Sequence, residues 1–404
     1  MTQSTTLTDE DRTVLRRALD LAERGRGRVS PNPMVGAVLV RDGRMIGEGH
    51  HGELGGLHAE AAALEDCRVR GEDPRRATAY ITLEPCAHHG RRPPCAEALV
   101  AAGITRAVIA SDDPSEHASG RGPAALEAAG VEVSWANGAE ATAARLLNQA
   151  FRKRARTGRP LVTLKAAISL DGRTATAAGD SRWISGESSR ALVHRWRAEA
   201  DAVAVGIGTA FADDPLLTTR PAADPAAPGG IPASPESSPL AGARSEHGAG
   251  ALPQPLRIVF DTAARLPLGS RLVGSLDEGP VVVVASAEAP AAAVGALRDA
   301  GVEVLTPAGD RRARIAAALS ELGGRGVSSL LLEGGAALAG AFLDAGEVDE
   351  LRLFLAPIVL GGDGARPLAG GEGAERLADA VRAIDVSCER SGEDLLISAR
   401  LRDW

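Results

Sequence analysis

Three short segments in the first hundred positions constrain this chain more than anything else in it: His58-Ala59-Glu60, Glu84-Pro85-Cys86 and Pro94-Cys95. One imidazole and two thiols are a ligand set that tetrahedral zinc favours, and three protein ligands leave a fourth position open, as catalytic sites do. If His58, Cys86 and Cys95 hold one ion, the chain between them must fold back until three distant side chains meet. Glu60 then stands two residues from a ligand, where a carboxylate can carry protons.

Zinc held this way makes a nucleophile available from water at neutral pH. His-x-Glu ahead of Pro-Cys is the order found in zinc nucleobase deaminases, although their generic form has two residues between the cysteines and here eight intervene, 87–94. His88 and His89 lie in that interval and are read as lining the pocket mouth. The four cysteines, Cys67, Cys86, Cys95 and Cys388, are irregularly spaced, which suits metal better than disulfides.

At 404 residues the chain exceeds what one core usually supports, so two domains are expected. An apolar fraction of 44% and a charged fraction of 24% place it among globular proteins. The net charge of -8 argues against a general polyanion binder, and four Trp, one Tyr and five Phe are too few for a base-stacking platform. The start, Met1-Thr2-Gln3-Ser4, is not a basic segment followed by an apolar one, and no apolar run approaches the ~20 residues of a membrane span; the expected location is the cytoplasm.

Thr8 and Asp11 have capping-box spacing, and Val14, Leu15, Ala18, Leu19 and Ala22 repeat at helical intervals. Two apolar runs around Asp42-Gly43 predict a β-hairpin over 35–50. A helix over 58–69, a strand over 79–83, a helix from Cys95, a strand over 106–110, a helix ending at Gly130, a strand over 131–135 and a helix over 139–156 follow. A second alternation has strands at 161–170, 202–206, 256–260, 281–285, 328–332 and 351–355. The pattern predicts two α/β domains, 1–156 and 157–404. Residues 221–255 are dense in Pro, Ala, Gly and Ser and are expected to form a mobile insertion.

The second half has no Walker loop and no dinucleotide fingerprint, since Gly206-Ile207-Gly208 runs into Thr209-Ala210-Phe211. Glu333-Gly334-Gly335, between an apolar strand and a helix over 336–345, is either a phosphate-approach loop or simply a tight turn. Lys165 lies mid-strand among apolar residues, where an unpaired ammonium is costly, so a site role is expected.

Pro31-Asn32-Pro33-Met34-Val35-Gly36, His58-Ala59-Glu60 and the run from Glu84 through Arg92 to Cys95 together resemble the bifunctional riboflavin biosynthesis deaminase-reductase family. So do Leu164-Lys165-Ala166-Ala167, Ser181-Arg182-Trp183, Gly206-Ile207-Gly208-Thr209, the segment from Asp213 to Arg220, and Glu333-Gly334-Gly335. The resemblance implies a cytidine-deaminase-like α/β/α layer followed by a dihydrofolate-reductase-like α/β domain that uses NADPH. It implies deamination of a phosphoribosylated diaminopyrimidine, then hydride delivery to the sugar C1, which turns ribosyl into ribityl. By position, Asn32 and His51 would line the deaminase pocket. Ala167, Trp183, Thr209, Asp213, Gly335, Ala336, Ala337, Leu338, Ala339, Gly340 and Ala341 would contact NADPH. Ser181, Arg197, Leu217, Arg220 and Glu333 would contact substrate, with Lys165 beside them. Arg197 and Arg220 suit phosphate, because a guanidinium fork matches its oxygens. Lys165 and Asp213 both remain open as the proton carrier. The resemblance further suggests a homo-oligomer, dimer or tetramer.

Two other classes share some of these features. A tRNA adenosine deaminase with an appended domain has the same metal motif, but the long cysteine spacing, the acidic balance and the second motif set count against it. A non-catalytic binding protein with a structural zinc has no need of Glu60. A deaminase with an inactive reductase half is a third possibility.

Overall fold

The computed structural model describes residues 7–87, 93–116, 118–219 and 254–404. His88, His89, Arg92, Arg220 and nearly all of the expected insertion lie outside them. The chain forms two compact units, Met1–Leu161 with Leu319–Ser329 and Asp403–Trp404, and Val162–Ala318 with Leu330–Arg402.

The first unit opens with α1 (Asp9–Glu23), whose capping box is complete: the Asp11 amide donates to Thr8 Oγ1 (3.1 Å) and the Thr8 amide to Asp11 Oδ2 (2.9 Å). Asp11 also accepts from Tyr80 Oη (2.8 Å) and Arg106 Nη1 (2.7 Å), tying the helix to the sheet. The hairpin is β1 (Gly36–Arg41) and β2 (Arg44–His50), with Asp42 and Gly43 both at positive φ. Then come α2 (Ala59–Val69), β3 (Thr78–Ile81), α3 (Cys95–Ala101), β4 (Arg106–Ile109), α4 (Arg121–Ala128) and β5 (Glu132–Trp135).

The sheet order is β2-β1-β3-β4-β5, antiparallel across the first three strands and parallel from β3 to β5. Period-two alternation sends Ala37, Leu39 and Ile81 to one face, where they pack with Ala59, Ala63 and Leu99. Val38, Val40, Tyr80 and Val108 go to the other, with Leu15, Leu21 and Ala144. The result is the expected α/β/α layering. Gly49 lets α2 press onto β2, since a Cβ there would lie 2.4 Å from the Ala63 nitrogen.

The expected single helix over 139–156 is instead two, α5 (Gly138–Leu147) and α6 (Gln149–Thr157). Asn148 breaks them because its side-chain amide serves another backbone, accepting from the Met34 amide (2.8 Å) and donating to the Met34 carbonyl (2.9 Å).

After α6 the chain continues with β6 (Leu161–Ile168), β7 (Arg173–Ala175), α7 (Glu187–Glu199), β8 (Ala202–Gly206), α8 (Ile207–Asp213), β9 (Leu256–Phe260), β10 (Val281–Val284), α9 (Ala291–Asp299), β11 (Glu303–Leu305), α10 (Arg311–Gly324), β12 (Ser329–Leu332), α11 (Ala336–Asp344), β13 (Glu350–Leu355), β14 (Arg366–Pro367), β15 (Asp385–Ser391) and β16 (Asp394–Arg400). Nine strands form one sheet in the order β11-β10-β9-β8-β12-β6-β13-β16-β15. Parallel pairing runs from β11 to β12 and between β6 and β13, and the last three strands are antiparallel. The β15–β16 hairpin lies beyond the strands expected from the sequence. Val203, Val205, Val259, Val283 and Leu331 form the core of the second unit with Val193, Trp196 and Leu297. No helix among the described residues is long and apolar enough to cross a membrane.

Candidate active sites

In the first unit, the carboxyl ends of the parallel strands carry the chemistry, as is usual in open α/β sheets. The segment leaving β3 carries Glu84 and Cys86; it is held to the segment leaving β4 by the Glu84 amide, which donates to the Ser111 carbonyl (2.9 Å). His58 is the N-cap of α2, Glu60 sits in the first turn of that helix, and Cys95 begins α3. Two helix starts and one strand end therefore bring the three expected ligands together.

Their ligating atoms all lie within 4.8 Å of one another. His58 Nδ1 is 3.7 Å from Cys86 Sγ and 3.4 Å from Cys95 Sγ. Tetrahedral bonds of about 2.0 Å to nitrogen and 2.3 Å to sulfur place those atoms about 3.5 Å apart, so the spacing suits zinc without rearrangement. Hydrogen bonding from Cys95 holds the Cys86 thiol well below its ordinary range, and the same bond pushes the Cys95 thiol up. Cys95 is buried, Cys86 half-buried and His58 exposed, which leaves the site an open side.

Glu60 is buried, and burial pushes its carboxyl up to about 7. A carboxyl there can both take and release a proton near neutrality.

The structure joins Asn32 and His51, which the sequence offered only by resemblance. His51 Nδ1 donates to the Leu57 carbonyl (2.8 Å), so its Nε2 is the acceptor for the Asn32 Nδ2 hydrogen (3.2 Å). Burial pushes the His51 imidazole down, which keeps it neutral. Its ring meets the His58 ring edge-on at 5.5 Å between centroids. Asn32 is thus oriented by His51, with its side-chain oxygen not used in that bond.

In the second unit, Glu333 follows the end of β12 and Lys165 lies on the neighbouring β6. Arg197, in the last turn of α7, grips Glu333 with both prongs, Nε to Oε1 at 2.6 Å and Nη2 to Oε2 at 3.0 Å. Lys165 Nζ is 3.8 Å from the same carboxylate. Burial pushes the Glu333 carboxyl up, but the Arg197 guanidinium and the Lys165 ammonium outweigh it and hold it at about 2. Burial pulls Lys165 down despite Glu333, and Arg197 adds to that shift. The costly mid-strand lysine therefore has a partner. The Arg197 fork meets a protein carboxylate, whereas the sequence had suggested a phosphate for it.

Arg182 Nη2 donates to the Asp213 carbonyl (3.2 Å), which ties the segment of Ser181 and exposed Trp183 to the end of α8. Arg190 covers the Trp183 ring at 4.6 Å. Leu217 is buried at positive φ, and Ala167 packs against the core. A Cβ at Gly335 would lie 3.6 Å from Thr209 Oγ1, so the starts of α8 and α11 are neighbours. Of the expected cofactor run, Gly335 to Leu338 are open or half-buried, while Ala339, Gly340 and Ala341 are buried. Gly340 has a packing reason: a Cβ there would meet the Gly370 carbonyl at 2.0 Å.

A cleft of about 280 Å³ opens here, lined by Ala337, Leu338 and Ala341 together with Thr262, Arg265, Arg311 and Arg314. Those last four were not legible beforehand, because they come from two segments far apart in sequence, the turn after β9 and the first turn of α10, and form no motif.

Residues 160–397 match the RibD C-terminal domain, and residues 8–111 match the cytidine and deoxycytidylate deaminase zinc-binding region. The riboflavin biosynthesis protein RibD of Escherichia coli is 40% identical over 371 residues, covering 92% of this chain and 94% of its own length. That of Actinobacillus pleuropneumoniae is 38% identical over 393 residues, 97% of this chain and 95% of the relative. Among solved structures, Acinetobacter baumannii RibD superposes with a TM-score of 0.80 at 35% identity, over 98% of this chain and 99% of that one. A diaminohydroxyphosphoribosylaminopyrimidine deaminase/5-amino-6-(5-phosphoribosylamino)uracil reductase from Thermotoga maritima gives 0.77 at 33% identity, over 97% and 99%. The chain belongs to the RibD family of bifunctional riboflavin biosynthesis enzymes, a zinc-dependent deaminase joined to an NADPH-dependent reductase.

Proposed function

We propose that the first domain, 1–156, deaminates 2,5-diamino-6-(5-phosphoribosylamino)pyrimidin-4-one and that the second, 157–404, reduces the ribosyl group of the deaminated product to ribityl. The observation that carries this reading is the meeting of His58, Cys86 and Cys95 beside a buried Glu60, on a chain whose other unit holds Lys165, Glu333 and Arg197 in one cluster.

His58, Cys86 and Cys95 would hold zinc, which supplies a nucleophile from water. Glu60 would take one proton of that water and pass it to the ring nitrogen next to the carbon under attack, then take the second proton from the hydroxyl left on that carbon and hand it to the departing amine, so that ammonia leaves and a carbonyl forms. Asn32, oriented by His51, presents its side-chain oxygen to the N–H groups of the pyrimidine.

In the second domain bound NADPH would supply the hydride that C1 of the ring-opened imine accepts, and the imine nitrogen would take a proton from a side chain of this chain. Lys165 is assigned that proton donation over Asp213, because it carries an ammonium proton beside Glu333, at 3.8 Å, and burial makes that ammonium a better acid than a free lysine. Glu333 and Arg197 position Lys165. Thr209, Trp183, Asp213 and the start of α11 are assigned to the cofactor. Ser181, Leu217 and Arg220 are assigned to the substrate, with Arg220 as the candidate phosphate ligand.

The same reading includes a cytoplasmic homo-oligomer, and four unpaired cysteines suit a reducing compartment. The test follows ammonia release and NADPH oxidation separately on the synthetic phosphoribosyl substrate. Ammonia release without NADPH, and NADPH oxidation only after it, are expected. NADPH oxidation on the undeaminated compound at an equal rate would contradict the order of steps.

A further inference from the structure

The segment that carries Asn32 has few means of holding itself in place. Pro31 and Pro33 have no N–H, so between 31 and 34 only Asn32 and Met34 offer backbone donors. The Asn32 amide turns back to the Val29 carbonyl (2.9 Å). Past Met34 the chain is tied to the sheet, where the His51 amide donates to the Val35 carbonyl (2.9 Å) and the Gly36 amide to Thr82 Oγ1 (3.0 Å). Met34 itself is held by a side chain 114 positions away.

That side chain is Asn148, buried between α5 and α6 in the same unit. Its Oδ1 accepts the Met34 amide at 2.8 Å, and its Nδ2 donates to the Met34 carbonyl at 2.9 Å. One planar amide thus serves both backbone groups of a single residue, as the facing residue of an antiparallel strand would. Its orientation is fixed, because a flipped amide would set donor against donor and acceptor against acceptor. Few side chains can replace it. A carboxylate of the same shape keeps the first bond and loses the second, and an apolar side chain loses both.

Asn32 lies two residues before this grip. His51 sets the rotation of the Asn32 side chain at 3.2 Å, whereas the position of the residue depends on the backbone that Asn148 holds. A displacement of about 1 Å in a group that orients substrate is enough to cost about 100-fold in rate. We propose that Asn148 is a positioning residue for deamination, acting through Met34 on the substrate-facing Asn32. The proposal rests on the reading that Asn32 presents its side-chain oxygen to the pyrimidine.

A double-mutant cycle on the full-length protein tests it, with ammonia release from the phosphoribosylated diaminopyrimidine as the readout. Zinc content and NADPH oxidation with the deaminated substrate are followed on each variant and should stay at the wild-type level. Asn32→Ala should lower kcat/KM for deamination by about 100-fold, and Asn148→Ala by about 10- to 100-fold. The double variant should be no worse than Asn32→Ala alone, because a residue that acts through Asn32 then has nothing left to place. If Asn148→Ala loses zinc, Asn148→Asp, which keeps the size and one of the two bonds, takes its place in the cycle. Losses that multiply in the double variant, undiminished deamination in the Asn148 variant, or loss of zinc in both Asn148 variants would overturn the assignment while leaving Asn32 its role. Undiminished deamination in Asn32→Ala would remove both the assignment and the reading beneath it.

Discussion

Glu60→Gln is expected to retain zinc and to lose deamination, with ammonia release falling by about 10²- to 10⁴-fold. The amide keeps the size and most of the hydrogen bonding of the carboxyl but cannot take a proton from water or return it to an amine. Glu60 is buried in the first turn of α2, and none of the three ligating atoms belongs to it, so the metal site should survive. The check is elemental zinc analysis beside an ammonia assay on the same preparation. NADPH oxidation with the already deaminated substrate should be unchanged. Ammonia release within tenfold of wild type would show that another group moves the proton.

The second large effect is expected at Lys165. Lys165→Met should slow NADPH oxidation by about 10²-fold or more and leave ammonia release intact. Methionine keeps the length of the side chain and fills its place on β6 without the charge. Glu333 retains its two-pronged partner Arg197, so the cluster is not left as an isolated buried carboxylate. The pH profile separates proton donation from mere positioning. Burial pulls the Lys165 ammonium below its ordinary 10.5, so the wild-type reductase rate should fall on the alkaline side as that proton is lost. The Met variant should lack this limb. A variant that retains the limb would hand the donor role to another group, and equal damage to both activities would argue against two independent sites.

The meeting of His58, Cys86 and Cys95 was legible because their chemistry admits few substitutes and their order along the chain, with Glu60 beside His58, is distinctive. The hairpin at Asp42-Gly43 and the capping box at Thr8 were legible for a similar reason, since each depends on local backbone chemistry. Illegible features were those decided by distant partners. Asn148 looks like any helical asparagine until Met34 is placed beside it. Arg152, at the start of a basic stretch, is fully buried because Ser111 Oγ and the Asp112 carbonyl receive its Nη1 at 3.1 and 2.8 Å. β15 is exposed along all but its last residue, and its apolar alternation stops after Val386 and Cys388, so the pattern that marks other strands is short. Arg197 reads as a phosphate ligand from its type alone, and only the fold reveals Glu333 in its fork.

X-ray absorption at the zinc edge, on the zinc-loaded protein, bears most directly on whether His58, Cys86 and Cys95 share one ion. A first shell with two sulfurs at about 2.3 Å and one nitrogen at about 2.0 Å is expected, with one sulfur lost in Cys86→Ser. A shell without sulfur, or one that the Cys86→Ser change leaves intact, would contradict it.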